Sequence, residues 1–343
     1  MISTRHLSGF LLCLGMLVWP LIGHADKPRD RGIGVYFDQD LFTLGLNEDR
    51  DYTTGIALEF FWQQDGLYPM DRLVKSLGQQ LELLPANAVT ERSFMIGTVN
   101  FTPDNLAARE PILDDRPYAS LIYLSNKNVY AGHDAAVGIE MQVGMLGTSV
   151  AREVQQGLHG LWRDVADSDN PVDPKGWGHQ VSNGGEPTLR FRVAYSKLLA
   201  ESAGHWDLAG TASANLGYQT NLGLGLAVRT GRIASPVWTL PYDPINRGNF
   251  LPSLAGNEWY LWAAYRGIAV GYDALLQGQF RDSDVTYGND EIKRLVHNAG
   301  VGLTLSYKPV QVTFAINAKS SELDAREADR NQVWGGIYTM MRF

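Results

Sequence analysis

Cysteine is almost missing from this 343-residue chain; the only one is Cys13. It falls in an opening segment that reads as a secretory leader. "MISTRH" is basic, "LSGFLLCLGMLVWPLIG" is apolar, and "GHAD" ends on small residues, so cleavage is expected after Ala25. The apolar run is short for a bilayer span and contains Pro20. Apolar residues continue well past Cys13, which speaks against lipid attachment there. The mature chain, expected to be one domain over residues 26–343, then has no cysteine. An exported chain without disulfides must be held in another way, and a sheet closed on itself is one. Long hydrophobic runs are missing too: after the leader nothing approaches the roughly 20 apolar residues of a spanning helix. Positive charge is in deficit, with a formal net charge of -8 and no basic stripe, which excludes a nucleic-acid binder. There is no GxSxG elbow, no phosphate-loop spacing of glycines, no HExxH and no EF-hand loop. A serine nucleophile is therefore not indicated, and attack by activated water is the better expectation.

What the chain has is glycine (36), tyrosine (15) and tryptophan (9), arranged with a period of two. In the terminal "QVWGGIYTMMRF", Val333, Gly335, Ile337, Thr339, Met341 and Phe343 fall on one side, and Trp334, Tyr338 and Arg342 on the other. A chain ending on Phe after such a strand resembles the terminal signal of bacterial outer-membrane barrels, read by the barrel-assembly machinery. Similar alternation recurs from "GVYFDQD" and "TGIALEFFW" to "PVQVTFAINAKSS". About twelve such stretches are present, an even number, as a single-chain barrel requires. The fold expected is all-β, a twelve-stranded antiparallel transmembrane β-barrel in the outer membrane of a Gram-negative bacterium, monomeric. With both ends periplasmic, residues 41 to 51, 102 to 116 and 148 to 186 fall in extracellular loops. "LYPMDRLVKSLGQQLELLP" places Met70, Leu73, Val74, Leu77 and Leu81 on one helical face, read as a periplasmic helix packing on the barrel mouth. "RIASPVWTLPYDPINRGNFLPS" reads as a long periplasmic loop with no assignable chemistry.

The third outer loop carries a stretch with helical rather than strand patterning, "REVQQGLHGLW". Val150, Val154, Leu158, Leu161 and Trp162 form an apolar stripe. Gln155 and His159 sit side by side at its edge, because residues four apart are neighbours on a helix. A histidine there is able to take a proton from water near neutral pH. A surface histidine beside a packing stripe accounts for the fragment equally simply. The first strand ends in "YFDQDLF", with Asp38, Gln39 and Asp40, and the second begins "NEDRDYTTG", with Asp49, Asp51, Thr53 and Thr54. Such oxygen donors suit Ca²⁺ more than Zn²⁺, although a pair of solvated acidic loops would look the same. Asp115 and Arg116, in "DDRPYAS", read as an ion pair at the barrel rim.

Taken in order, "YFDQDLF", "DRDYTTG", "NFTPDNL", "DDRPYAS", "VGMLGTSVAREVQQGLHGLW" and "GWGHQVSNGGEP" resemble the lipid A 3'-O-deacylase family of Gram-negative outer membranes. The resemblance covers essentially the whole mature chain. It implies a twelve-stranded barrel with a calcium-dependent esterase site between the barrel wall and an extracellular-loop helix. Such a site removes the 3'-linked acyloxyacyl chain from lipid A, the lipid part of lipopolysaccharide. On this chain the resemblance makes Asp40 the calcium ligand, His159 the base that activates water, and Gln155 its support. The family threonine falls on Thr53, and the residue before the ligand on Gln39, where the family usually has asparagine. A family lysine falls near Ala108, and the neighbouring Arg109 would supply positive charge to a lipid A phosphate. Two other readings stay open: a phospholipase-type outer-membrane esterase, and a non-enzymatic barrel, porin or structural.

Overall fold

Side chains on successive strand residues point to opposite faces, so a strand between lipid and a polar interior must alternate apolar with polar. In the computed structural model, which describes residues 31–43, 50–63, 69–150, 152–157, 160, 174–240, 256–325 and 327–343, twelve strands do so. They are β1 (Arg31–Gln39), β2 (Asp51–Gln63), β3 (Val89–Thr102), β4 (Ala119–Ala131), β5 (Ala135–Leu146), β6 (Glu186–Ser202), β7 (Trp206–Gly217), β8 (Gln219–Arg232), β9 (Glu258–Asp273), β10 (Leu295–Tyr307), β11 (Val310–Lys319) and β12 (Gln332–Arg342). Each pairs antiparallel with its chain neighbour, and β1 closes on β12 from Gly32↔Arg342 to Gln39↔Gly335. The expected leader lies outside the described residues.

The barrel is inside-out relative to a water-soluble protein. Phe94, Ile96, Leu124, Met141, Phe191 and Leu224 are exposed on its outer wall, while Glu59, Lys127, Glu140, Arg190 and Arg192 are buried inside. The inner charges are paired: Lys127 Nζ reaches Glu59 Oε1 at 3.2 Å, and Arg192 Nη1 reaches Glu140 Oε2 at 3.5 Å. An apolar exterior of this extent is stable only against lipid tails. No helix among the described residues is long and apolar enough to cross a membrane; the strands do the crossing. β9 is shorter than its apolar pattern suggests. It stops at Asp273, whose carboxylate accepts from Leu275 N at 3.0 Å and caps a one-turn helix, Ala274–Gln277.

One periplasmic segment differs from the sequence expectation. Helix α1 (Pro69–Gln80) does form, but it does not pack on the barrel mouth. Its contacts are Arg92, Tyr130 and Val137, which share strand parity with the lipid-facing Phe94, Leu124 and Met141. The helix therefore lies on the outer wall. It docks through Asp71 and Val74, while Leu73 and Leu77 stay exposed. The loop after β8 turns inward instead. Val237, Trp238, Thr239 and Leu240 are buried, and Trp238 packs against the inward-facing Phe61, Val129, Ala136 and Ala194.

Candidate active site

The site begins with a parity argument. Gln39 of β1 is in register with Thr54 of β2, Thr54 with Asn100 of β3, and Asn100 with Ser120 of β4. Each shares its face with lipid-exposed residues of its own strand: Val35, Phe60, Phe94 and Leu124. A lateral row of four polar side chains thus sits on the outer wall near its extracellular end. All four are buried, as are Thr98 and Thr102 on the same face of β3.

Local structure at each strand end sets this row. Asp40–Phe42 form a single 3-10 turn after β1, closed by Thr43, whose N and Oγ1 donate to Asp40 O at 3.2 and 2.8 Å. The turn folds back over the outer face of β12 because position 335 is glycine: a Cβ there would lie 2.4 Å from Phe42 Cβ and 2.7 Å from Phe42 O. Gln39 spans two partners. Its Oε1 accepts from Thr54 Oγ1 at 2.8 Å, and its Nε2 donates to Asp40 Oδ1 at 2.9 Å. Asp40 is thereby oriented as well as buried.

The start of β2 is irregular. Asp51 has φ 63°, a left-handed conformation, and the ladder to β3 shifts register between Tyr52 and Thr54. Thr53 falls in this bulge and donates from Oγ1 to Asn100 O at 3.3 Å, so its neighbour Thr54 is the threonine that touches Gln39. Arg330, from the loop before β12, grips the irregular end: Nε and Nη2 donate to Asp51 Oδ2 and Oδ1 at 2.8 and 3.0 Å, and Nη1 to Asp115 Oδ1 at 2.6 Å. The partner of Asp115 is thus Arg330. Arg116 pairs with Glu322 at 2.7 Å, so the expected Asp115–Arg116 ion pair is not the one formed. Arg330 and Glu322 share one loop, and each reaches one of the two neighbours. Burial raises the Glu322 carboxyl, but Lys319 and Arg116 outweigh it and hold the group well below the carboxylate range.

The third outer loop covers the row. Ser120 Oγ donates to Gln180 Oε1 at 2.8 Å, and Val181 N to Tyr118 O at 2.8 Å. In this loop residues 150, 152–157 and 160 are helical. Gln155 is buried, and its Oε1 accepts from Trp177 Nε1 at 3.0 Å; Trp177 packs on Tyr118 with ring centroids 4.8 Å apart. Two carboxamide nitrogens, Asn100 Nδ2 and Gln155 Nε2, are buried with no hydrogen-bond partner among the described residues. Such groups cost about 1–3 kcal/mol each unless a ligand or water meets them. His159 lies outside the described residues, as do Leu158, Leu161 and Trp162. Arg109 is exposed on the loop between β3 and β4. Asn100 and Trp177 were not singled out from the sequence and only the register and the loop fold bring them in; Thr54 was named among the oxygen donors, but the resemblance put the family threonine on Thr53.

No group of three or more His, Cys, Asp or Glu side chains is placed to hold a metal among the described residues. The Asp40 carboxylate instead takes the Gln39 amide N–H, with the Gln39 Oε1 and Thr54 Oγ1 oxygens following along the row. Such a set suits a hard cation that keeps water ligands, such as Ca²⁺, better than Zn²⁺.

A closed twelve-stranded sheet with a lipid-facing wall, carrying a row of buried polar side chains on that wall beneath an outer loop, defines an outer-membrane β-barrel. The chain belongs to the family described as "Outer membrane protein LpxR", whose model matches residues 10–343. It resembles the solved structure of LpxR from Salmonella typhimurium with TM-score 0.70 at 18% identity, over 91% of this chain and 100% of that one. The β domain of the Bordetella autotransporter BrkA matches with TM-score 0.43 at 8% identity, over 92% of this chain and 99% of that one. No curated protein matches the sequence.

Proposed function

We propose that the protein is a lipid A 3'-O-deacylase that hydrolyses the 3'-linked acyloxyacyl ester in the outer leaflet with histidine-activated water. The observation that carries this is the buried polar row on the lipid-facing wall, Gln39–Thr54–Asn100–Ser120, at the extracellular end. A porin needs polar groups in its lumen and has no use for them there. An enzyme whose substrate diffuses in the outer leaflet needs them on that wall.

In this reading His159, four residues after Gln155 in the sequence, takes the proton from the attacking water. Gln155, its carbonyl oxygen occupied by Trp177, offers N–H toward substrate or the developing oxyanion. Asn100 offers a second donor. Asp40, turned by Gln39, is the residue that would hold Ca²⁺, and a bound ion would supply Lewis-acid polarisation of the ester carbonyl. Arg109 would meet a lipid A phosphate, which a guanidinium fork suits.

Mass spectrometry of lipid A from cells carrying the wild-type gene or His159→Ala tests the proposal. The expected result is loss of the 3' chains with wild type and their retention with the variant, which still folds as a heat-modifiable barrel. Removal by both refutes the assignment of His159. EGTA is expected to stop activity, and Ca²⁺ to restore it better than Mg²⁺; indifference to chelation removes the metal. Purified enzyme given lipid A and phospholipid vesicles side by side separates this activity from a phospholipase.

A further inference from the structure

We propose that helix α1 is an interfacial anchor whose leucine flank inserts into the inner, phospholipid leaflet of the outer membrane. The residues of the helix divide into three faces about a third of a turn apart, at 3.6 residues per turn. One face docks on the barrel. Asp71 accepts from Tyr130 Oη at 2.8 Å and pairs with Arg92 at 2.5 Å, Val74 packs toward Tyr130 and Val137, and Gly78 is buried. The second face holds Leu73 and Leu77, which are 53% and 47% exposed and adjacent at four residues' spacing; Leu81 continues it at 66%. The third holds Arg72, Ser76 and Gln79, all exposed.

The position of the docked face decides what the other two meet. Arg92, Tyr130 and Val137 are outward-facing residues close to the periplasmic ends of β3, β4 and β5. The next outward residue of β3 after Arg92 is Phe94, in register with Phe60 of β2, and both are exposed in the lipid-facing band. The helix thus docks beside the surface that contacts acyl chains, and of its two free flanks the leucine one is the flank that hydrocarbon would take up. A helix that lies along the outer wall at this level, with an apolar flank and a polar flank, meets hydrocarbon on one side and periplasmic water on the other. A packing role within the protein does not account for it, because the packing face is the one carrying Asp71, Val74 and Gly78. A protein partner would ask for a face turned away from the bilayer.

Site-directed spin labelling tests this in the full barrel reconstituted in phosphatidylethanolamine/phosphatidylglycerol vesicles. The chain's only cysteine, Cys13, is replaced by serine, and Leu73→Cys, Leu77→Cys, Arg72→Cys and Gln79→Cys are labelled one at a time. All four positions are exposed, and two per flank keep the test alive if one variant folds poorly. Labels at 73 and 77 are expected to collide severalfold more often with oxygen than with a water-soluble nickel chelate, and labels at 72 and 79 the reverse. Leucine-flank labels as open to nickel as those at 72 and 79 would overturn the proposal. So would labels shielded from both reagents, the result a protein partner or a second copy would give.

Discussion

Tryptophan has one hydrogen-bonding group, an N–H that only donates. When Trp177 Nε1 meets the Gln155 amide at 3.0 Å, it must meet the oxygen, and the amide nitrogen is turned away as a donor. One lone pair of the Gln155 carbonyl is taken in this state, and in the proposed mechanism the amide N–H is the group that meets negative charge. Trp177→Phe keeps the ring packed on Tyr118 and removes the constraint on the amide. One hydrogen bond of net 0.5–1.5 kcal/mol corresponds to a loss of up to about tenfold. The expectation is a fall of that size in kcat with KM nearly unchanged, read on purified lipid A. A rise in KM alone would mean that Trp177 shapes the loop and does not act through Gln155. Gln39 poses the matching question on the wall. Its length allows it to reach Thr54 and Asp40 at once, and Gln39→Leu severs both bonds. The expected outcome is weaker Ca²⁺ binding, seen as a shift of the activating concentration upward by about tenfold, the scale of losses when a residue orienting a metal ligand is removed.

At the scale of elements, the site is an assembly of chain ends held by few contacts. The 3-10 turn at Asp40 needs the bare backbone of Gly335 beneath it. Gly335→Val would push Phe42 and its turn off β12 while leaving the ladder of β12 intact. Activity is expected to vanish with the barrel still heat-modifiable on a gel; retained activity would separate the turn from the site. The loop before β12 clamps the other ends through Arg330 and Glu322. Glu322 is held ionised by Lys319 and Arg116 below the ordinary value of about 4.3. A depressed carboxylate contributes stability that is present above the unfolded value and lost as pH falls through the folded one. The clamp is therefore expected to hold at pH 4 and to open only in stronger acid. Glu322→Gln leaves Arg116 and Lys319 short of a charge partner, a loss of about 3 kcal/mol or more, and should loosen the clamp at neutral pH, read as faster proteolysis within residues 103–118 and 320–331. These ends also mark where sequence reading fails. Period-two alternation made the twelve strands legible, and the ordered motifs pointed to Gln39, Asp40, Thr53 and Gln155 as candidates, of which Gln39 and Asp40 touch each other while Thr53 turns to the backbone of Asn100. The partners of Asp115 and Arg116 were not, because they come from a loop about two hundred residues away. The apolar stripe of α1 was visible, but the face that packs was misjudged: in a membrane protein an apolar flank has a second place to go.

For the whole molecule, the question is whether the closed sheet conducts. Its interior is lined with charges, as in a channel, but those charges are paired, and the segment after β8 folds up into the periplasmic end. That segment is bolted to the wall. Arg229 donates to Ser235 Oγ and O at 3.1 and 2.8 Å while also holding Asp207, and Glu258 Oε2 accepts from Ala234 N, Ser235 N and Ser235 Oγ at 2.8, 2.9 and 2.9 Å. Beyond the bolts, Trp238 Nε1 donates to Gly132 O at 3.0 Å, and Leu240 joins the inner core beside inward-facing residues such as Tyr260 and Trp262. The segment carries few charges and buries four consecutive side chains, so it has no reason to leave the lumen at rest. Planar bilayers containing the intact protein are expected to stay electrically silent, in keeping with an enzyme whose polar row is on the outer wall; regular conductance steps would return the porin reading to the front. Releasing the bolts gives a sharper measurement. Arg229→Ala leaves Asp207 without its partner and Ser235 held by Glu258 alone, a loss of about 3–5 kcal/mol for a buried ion pair broken on one side. A water-soluble maleimide should then label Thr239→Cys at least tenfold faster in the Arg229→Ala background than in the wild-type one. Equal rates in both would show that Glu258 and the wall around Trp238 hold the segment without Arg229.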